Sequence, residues 1–404
     1  MHLKTYSVLE FGRINYENVA YFNFETNPKL NRTFEENISP DYLIPILSHI
    51  SGQTIVKEKT LIIFDEVQLC ERALTSLKYF CEDAPDYHII VAGNLLGVAV
   101  NRAKFSFPVG KVDMKTMYPM DMEEFMIAMG EEKLATQVRQ CFETNTAMPS
   151  ALHDAAMQLY RQYLVVGGMP ECVLQFAQTR DYILIRNTQD TILASYLNDM
   201  SKYNNLNEIK KTRLAYDNIT VQLSKKNTRF QYKLIKKGGR ASEFENAIEW
   251  LCLSGIVSQV YRIEQIKKPL ENYRDIDAFK IYVSDLGLLC AKKDLVANDI
   301  LYMAEELNDF KGGMAENYVN VQLSINGYHT YYWESARGAE IDFVIQRNEQ
   351  LIPIEVKSAD NTRAKSLKVY METYDPEYAI KLSAKNFAFE DNKKTVPLYA
   401  AFCI

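Results

Sequence analysis

Three short apolar runs, rich in β-branched and aromatic residues, follow one another near the start of the chain: Val19–Phe24 (VAYFNF), Thr60–Phe64 (TLIIF) and Tyr87–Ala92 (YHIIVA). Each is followed by a polar or glycine break and then a helix-patterned stretch. Strands without a polar face, separated by helical crossovers, belong to parallel sheets covered by helices. This alternation predicts an α/β fold. At 404 residues the chain exceeds one core of about 150 residues, so two or three units are expected.

The composition, 47% apolar and 24% charged, is that of a globular chain. No stretch reaches the roughly 18 apolar residues of a membrane span, and MHLKTYSVLEFG lacks the apolar block of a signal peptide, so a cytoplasmic protein with no membrane partner is expected. The seven cysteines show no zinc or redox spacing and read as buried thiols. The net charge is −6, yet Lys202–Arg240 holds eleven basic residues against Glu208 and Asp217. That segment carries +9 and the rest of the chain −15.

The second run ends in Asp65-Glu66. An acid at the tip of an apolar strand can hold Mg²⁺ in a nucleotide-hydrolysing site, and a carboxylate beside it can orient the attacking water. The alternative for such an acid is a helix cap. The third run ends in Gly93-Asn94, which puts an amide at the neighbouring strand tip, within reach of a γ-phosphate; Gly-Asn also suits a plain turn.

Phe64–Phe125 (FDEVQLCERALTSLKYFCEDAPDYHIIVAGNLLGVAVNRAKFSFPVGKVDMKTMYPMDMEEF) resembles the AAA-type P-loop ATPases of bacteria and archaea that carry a C-terminal domain of unknown function, and the likeness extends over nearly the whole chain. It implies ATP and Mg²⁺ as cofactors, Asp65 on the metal, Glu66 at the attacking water, and Asn94 as a sensor where the family usually has serine. It also implies a first strand and a glycine loop ending Gly-Lys-Thr. Lys4-Thr5 align with the last two positions of that loop, and Tyr6–Gly12 with the helix after it, but both glycines and the strand are absent. That strand is central in this class of sheet, and its loss would leave backbone groups unpaired. The expectation is a true start upstream of Met1; the alternative is a decayed copy unable to grip ATP. Such sites are commonly completed by an arginine of a neighbouring subunit, which implies a homo-oligomer, with Arg102 one candidate among many.

Residues 131–203 are helix-patterned and contain Tyr163–Glu171 (YLVVGGMPE), typical of the family's helical lid; Gly167-Gly168-Met169-Pro170 equally suits a plain helix-to-helix turn. Ser242–Glu245 reads as a capping box opening a helix with Phe244, Ala247, Ile248 and Leu251 on one face and Gly255 as its stop. Strand-like Ile256–Ile263 and Phe279–Val283 complete the order of a winged helix, a module that places a helix in the DNA major groove. With the +9 segment just before it, DNA contact is expected across residues 202–255, against an alternative of protein contacts and solvated lysines.

Near the C-terminus Ile341, Phe343 and Ile345 share one strand face and Glu340, Asp342 and Val344 the other; Ile352, Ile354 and Val356 likewise oppose Pro353, Glu355 and Lys357. A hairpin closing at Arg347–Gln350 sets Asp342 opposite Glu355 and Glu340 opposite Lys357. Paired carboxylates beside a lysine can hold Mg²⁺ and assist attack of water on phosphorus; the bland alternative is a salt-bridged surface. The pattern resembles the restriction-endonuclease-like fold, which implies Asp342, Glu355 and the helix residue Glu316 as metal ligands and Lys357 as the catalytic lysine.

The expected organisation is therefore a truncated AAA-type core at 1–130, a lid at 131–203, a winged helix at 204–295 and an endonuclease-like α/β domain at 296–404. The leading function is a DNA-associated ATPase. Its rivals are a non-enzymatic nucleic-acid-binding or protein-interaction module and an ATP-independent, Mg²⁺-dependent nuclease.

Overall fold

The computed structural model describes residues 3–93, 110–202, 206–224, 229–358 and 365–404. They form two compact units, one within 1–117 with the short stretch 253–255, the other from 118–252 and 256–404. Among the described residues no helix is long and apolar enough to cross a membrane.

The first unit runs α1 (Leu3–Asn15), β1 (Asn18–Asn23), α2 (Lys29–Glu36), α3 (Pro40–Ser51), β2 (Thr60–Asp65), α4 (Glu71–Asp83) and β3 (His88–Val91). The sheet is parallel, in the order β1-β2-β3. All six residues of β2 are buried, which is why its sequence is a continuous apolar run rather than an alternating one. Phe24, Phe34 and Phe64 meet beside it, with Phe34 and Phe64 perpendicular at 5.5 Å between ring centres. The predicted strands are present to within a residue or so at each end. Among the described residues β3 pairs with β2 alone, and its residues are less buried than those of β2. The β1/β2 register sets Asn23 beside Asp65, so polar side chains of both strands gather at their C-terminal ends.

The second unit begins with five helices, α5 (Met122–Ala128), α6 (Glu132–Thr144), α7 (Ser150–Val166), α8 (Pro170–Thr179) and α9 (Tyr182–Lys202). Residues 118–130 thus group with these helices rather than with the N-terminal core, and Phe125 packs edge-on against Tyr163 at 5.4 Å. Then come α10 (Leu206–Leu223), α11 (Tyr232–Ile235), α12 (Ala241–Leu253), β4 (Val257–Ile263), β5 (Arg274–Val283), α13 (Leu286–Lys292), α14 (Ala297–Leu301) and α15 (Asn308–Ile325). The chain finishes with β6 (Tyr331–Glu334), β7 (Glu340–Arg347), β8 (Gln350–Val356), α16 (Lys365–Tyr374), β9 (Ala379–Ser383), β10 (Ala388–Glu390) and β11 (Lys393–Pro397).

One eight-stranded mixed sheet, β10-β11-β9-β8-β7-β6-β4-β5, runs through this unit. The wing-like pair β4–β5 is antiparallel as expected, but β4 also pairs in parallel with β6, so the two strands are the edge of the larger sheet. The helix before them starts at Ala241, one residue ahead of the expected cap, which leaves Ser242 inside its first turn; Phe244, Ala247, Ile248 and Leu251 are buried as their spacing requires.

The Gly-Gly-Met-Pro segment is a packing joint. Buried Asp285 accepts the N–H of Leu288 at 2.8 Å, capping α13, and the N–H of Gly168 at 2.7 Å. A Cβ on Gly167 would lie 2.3 Å from Asp285 Oδ1, and one on Gly168 only 2.1 Å from the carbonyl oxygen of Met120. Glycine stands here because backbone and carboxylate approach too closely for any side chain.

Candidate functional site

In the first unit the structure brings together Lys4, Thr5, Asp65 and Glu66, which sequence reasoning chose from positions some sixty residues apart. The Thr5 hydroxyl donates to Asp65 Oδ2 at 2.8 Å, and both residues are buried. Tyr21 OH donates to the same oxygen at 2.6 Å, and the N–H of Glu66 to Asp65 Oδ1 at 3.1 Å. The helix-cap alternative for Asp65 does not hold: the turn that follows, Val67–Leu69, has no side-chain cap, and α4 has none either. Glu66 is left-handed at φ 53°, an uncommon conformation for a non-glycine residue that turns the chain sharply at the strand tip. Gln68 Nε2 donates to Glu66 Oε2 at 2.5 Å.

Lys4 Nζ lies 3.4 Å from the carbonyl oxygen of Gly93 at the end of β3. Burial lowers the pKa of this amine, against the pull of Glu66 and Asp65. Tyr21 was not foreseen; burial, and then its bond to Asp65, push its phenol up to about 12, so it stays a donor. The signal that could have found it is strand adjacency: β1 and β2 are parallel neighbours, and side chains near their C-terminal ends meet. Asn94 and Arg102 lie outside the described residues.

The donor set fits a magnesium–nucleotide complex. A buried hydroxyl joined to a strand-tip carboxylate, with a lysine and a second carboxylate beside them, supplies hard oxygen ligands and a cation for phosphate oxygens.

In the second unit β7 and β8 pair in the expected register, from Arg347↔Gln350 to Phe343↔Ile354. The turn residues Asn348 and Glu349 have φ 46° and 66°, the left-handed pair of a tight hairpin. The ladder stops before Asp342 and Glu355. Asp342 Oδ2 instead accepts the N–H of Val356 at 2.7 Å. Glu340 and Lys357 also have other partners: Glu340 meets Lys280, and Lys357 Nζ lies 2.7 Å from Glu355 Oε1. Glu355 is buried, and its Oε2 finds no hydrogen-bond partner among the described residues.

Lys280 is the residue that sequence reasoning missed. It is buried on β5, with Nζ 3.3 Å from Glu316 Oε2, 2.5 Å from Glu340 Oε1 and 4.0 Å from Asp342 Oδ1. Tyr282 OH donates to Glu316 Oε2 at 2.9 Å. Burial would lower the lysine's pKa, but Glu316 foremost, with Tyr282, Glu340 and Asp342, holds it well above the ordinary value. Burial and then Glu316 raise Asp342 to about 7. Burial would also lower Lys357, and its hydrogen bond to Glu355 reverses this and raises it. An ammonium already stands among Glu316, Glu340 and Asp342, so the expected ligands Glu316 and Asp342 do not fit a resident divalent ion there, while the expected ligand Glu355 is paired with Lys357. Among the described residues no three His, Cys, Asp or Glu side chains are grouped to hold a metal.

The exposed side of α12 carries Glu245, Asn246 and Glu249. That face therefore offers carboxylates rather than cations to any phosphate. Nearby, an open cleft of about 510 Å³ is lined by Arg229, Phe230, Tyr232, Lys233 and Arg240, with Lys233 and Arg240 exposed. Lys225 and Lys226 of the basic segment lie outside the described residues.

Residues 4–126 match the model of an AAA domain, 157–299 that of a domain of unknown function (DUF8612), and 311–401 that of a second such domain (DUF4143). None of the curated proteins matches the sequence. Among solved structures, the chain is similar to the Walker-type ATPase PABY2304 of Pyrococcus abyssi, with 11% identity, a TM-score of 0.38, and coverage of 69% of this chain and 84% of that one.

Proposed function

We propose that the N-terminal unit is a magnesium-dependent, ATP-binding and ATP-hydrolysing module of the AAA type. The observation that carries this reading is the buried Thr5–Asp65 pair with Lys4 and Glu66 beside it. Thr5 and Asp65 would hold Mg²⁺, and Lys4 would meet phosphate oxygens. Bound Mg·ATP supplies the phosphorus centre and the metal charge that offsets the transition state. Tyr21 and the N–H of Glu66 keep the Asp65 carboxylate oriented. Glu66, fixed by Gln68, accepts a hydrogen bond from water and orients it for attack. An arginine from a neighbouring copy belongs to the same reading, which makes ATP-dependent homo-oligomer formation part of it.

The test is Mg²⁺-dependent ATP binding and hydrolysis by this chain and by a version carrying the family's strand and glycine loop ahead of Lys4, each with Glu66→Gln. The expected result is binding that survives Glu66→Gln and turnover that does not. If neither version binds ATP, the reading fails.

A second reading concerns the basic cleft, which favours nucleic acid as the partner of the C-terminal unit. Arg229, Lys233 and Arg240 stand around the half-buried ring of Tyr232, a combination suited to a phosphate backbone and a stacked base of a single strand. Polarisation of a labelled single-stranded 20-mer across a salt series tests it. Charge reversal of Lys233 and Arg240 should weaken binding and flatten the salt slope, while Glu249→Lys should not weaken it.

A further inference from the structure

Glu316 on α15 and Glu340 and Asp342 on β7 converge on one point, and that point is the Nζ of Lys280. Nothing local in the sequence brings it there. Three strand spacings separate β5 from β7 in the sheet, about 14 Å if the sheet were flat. The meeting therefore takes the reach of both partners, Lys280 from β5 and Glu340 and Asp342 from β7, with Glu316 of α15 joining them. Asn317, the neighbour of Glu316, clamps the same strand through both its amide atoms, accepting from the N–H of Val283 and donating to its carbonyl oxygen, each at 2.7 Å. The Tyr332 ring lies 5.2 Å from Nζ, a further group favourable to a cation. Lysine, ring and carboxylates thus form a built cation site whose cation is covalently part of the chain.

We propose that the Lys280 ammonium is the resident cation of this carboxylate face, standing among Glu316, Glu340 and Asp342 where a divalent ion would otherwise bind. The native cluster is therefore closed to metal, and removing the lysine opens it. Its work in the native protein is to lock β5, α15 and β7 together. Any hydrolytic chemistry at the Glu355–Lys357 end then proceeds without a metal ion held by Glu316 and Asp342. Direct repulsion between Nζ and a second cation, at the distances seen here, enforces the exclusion.

The test is Mn²⁺ binding to the nucleotide-free protein, followed by electron paramagnetic resonance and thermal shift. Wild type, Glu316→Gln and Asp342→Asn should bind Mn²⁺ alike, because none has a site here; using differences cancels any contribution from Asp65. Lys280→Met should gain one Mn²⁺ site at least about tenfold tighter than any in wild type and be stabilised by the ion. Lys280→Arg, which keeps the charge, should gain none. A wild-type Mn²⁺ site that disappears in Asp342→Asn would overturn the proposal, as would a folded Lys280→Met protein that gains no site. If Lys280→Met does not fold, the comparison of wild type with Glu316→Gln and Asp342→Asn decides the question alone.

Discussion

Thr5 and Asp65, sixty positions apart, share a buried hydrogen bond of 2.8 Å that joins the start of α1 to the tip of β2. Replacing Thr5 with valine keeps the shape and deletes the donor. Loss of a buried hydrogen bond to a charged group costs about 1.5–3 kcal/mol, so the urea midpoint should fall. On the proposed function, Mg²⁺-dependent nucleotide binding should fall as well, while Thr5→Ser restores both. Unchanged nucleotide binding in Thr5→Val would remove Thr5 from the metal site.

Glu66 carries both a backbone and a chemical role, and two substitutions separate them. Glu66→Ala and Glu66→Gly both delete the carboxylate and should both lose ATP turnover. At φ 53° glycine is unstrained and alanine is not, so the glycine variant should be the more stable by about 1 kcal/mol in chemical denaturation. Equal stabilities would show that the left-handed turn is not held in solution.

Adjacent glycines on α15 should respond in opposite senses. A Cβ on Gly312 meets nothing within 4 Å, whereas one on Gly313 would lie 2.1 Å from the carbonyl oxygen of Leu223. Gly312→Ala should stabilise by about 0.5–1 kcal/mol through helix propensity. Gly313→Ala should destabilise, by about 1–3 kcal/mol if overpacking sets the scale. Thermal melts of the two variants check both signs.

Asp285 gives a pH dependence of definite sign. Burial raises its pKa from 3.8 to about 6, against the backbone N–H groups of Leu288 and Gly168. Because the folded value lies above the unfolded one, the native state binds the extra proton between these values. Stability from this group is therefore fullest below pH 3.8 and is lost as pH rises through about 6. The shift corresponds to about 3 kcal/mol. Asn cannot ionise, so the stability of wild type relative to Asp285→Asn should decline between pH 4 and 7 in urea titrations. A flat difference would show that Asp285 is not desolvated as the structure has it.

Much of this protein was legible locally. The apolar run LIIF, framed by Thr60 and Asp65, is a strand buried on both faces, because only such a strand tolerates apolar side chains at successive positions. The β7/β8 register followed from alternation and the position of the turn, since a slip of one residue would put Ile341, Phe343 and Ile345 on the wrong face. Asp65 and Glu66 were read from the tip of an apolar strand and Lys4 and Thr5 through a family likeness, and the structure gathers all four. The buried face of α12 was legible too, because Phe244, Ala247, Ile248 and Leu251 recur at helical spacing.

The sequence by itself determined the strands, the helices with a clear apolar face, the hairpin register and the acids at the β2 tip, because periodicity and turn chemistry act over a few residues. Tertiary structure alone decided that Tyr21 would hold Asp65, that Asp285 would require glycine at 167 and the Met120 backbone glycine at 168, and that Lys280 would stand among Glu316, Glu340 and Asp342. Those contacts depend on strand order and on which elements pack together, and no local pattern encodes which distant side chain will arrive opposite a buried charge.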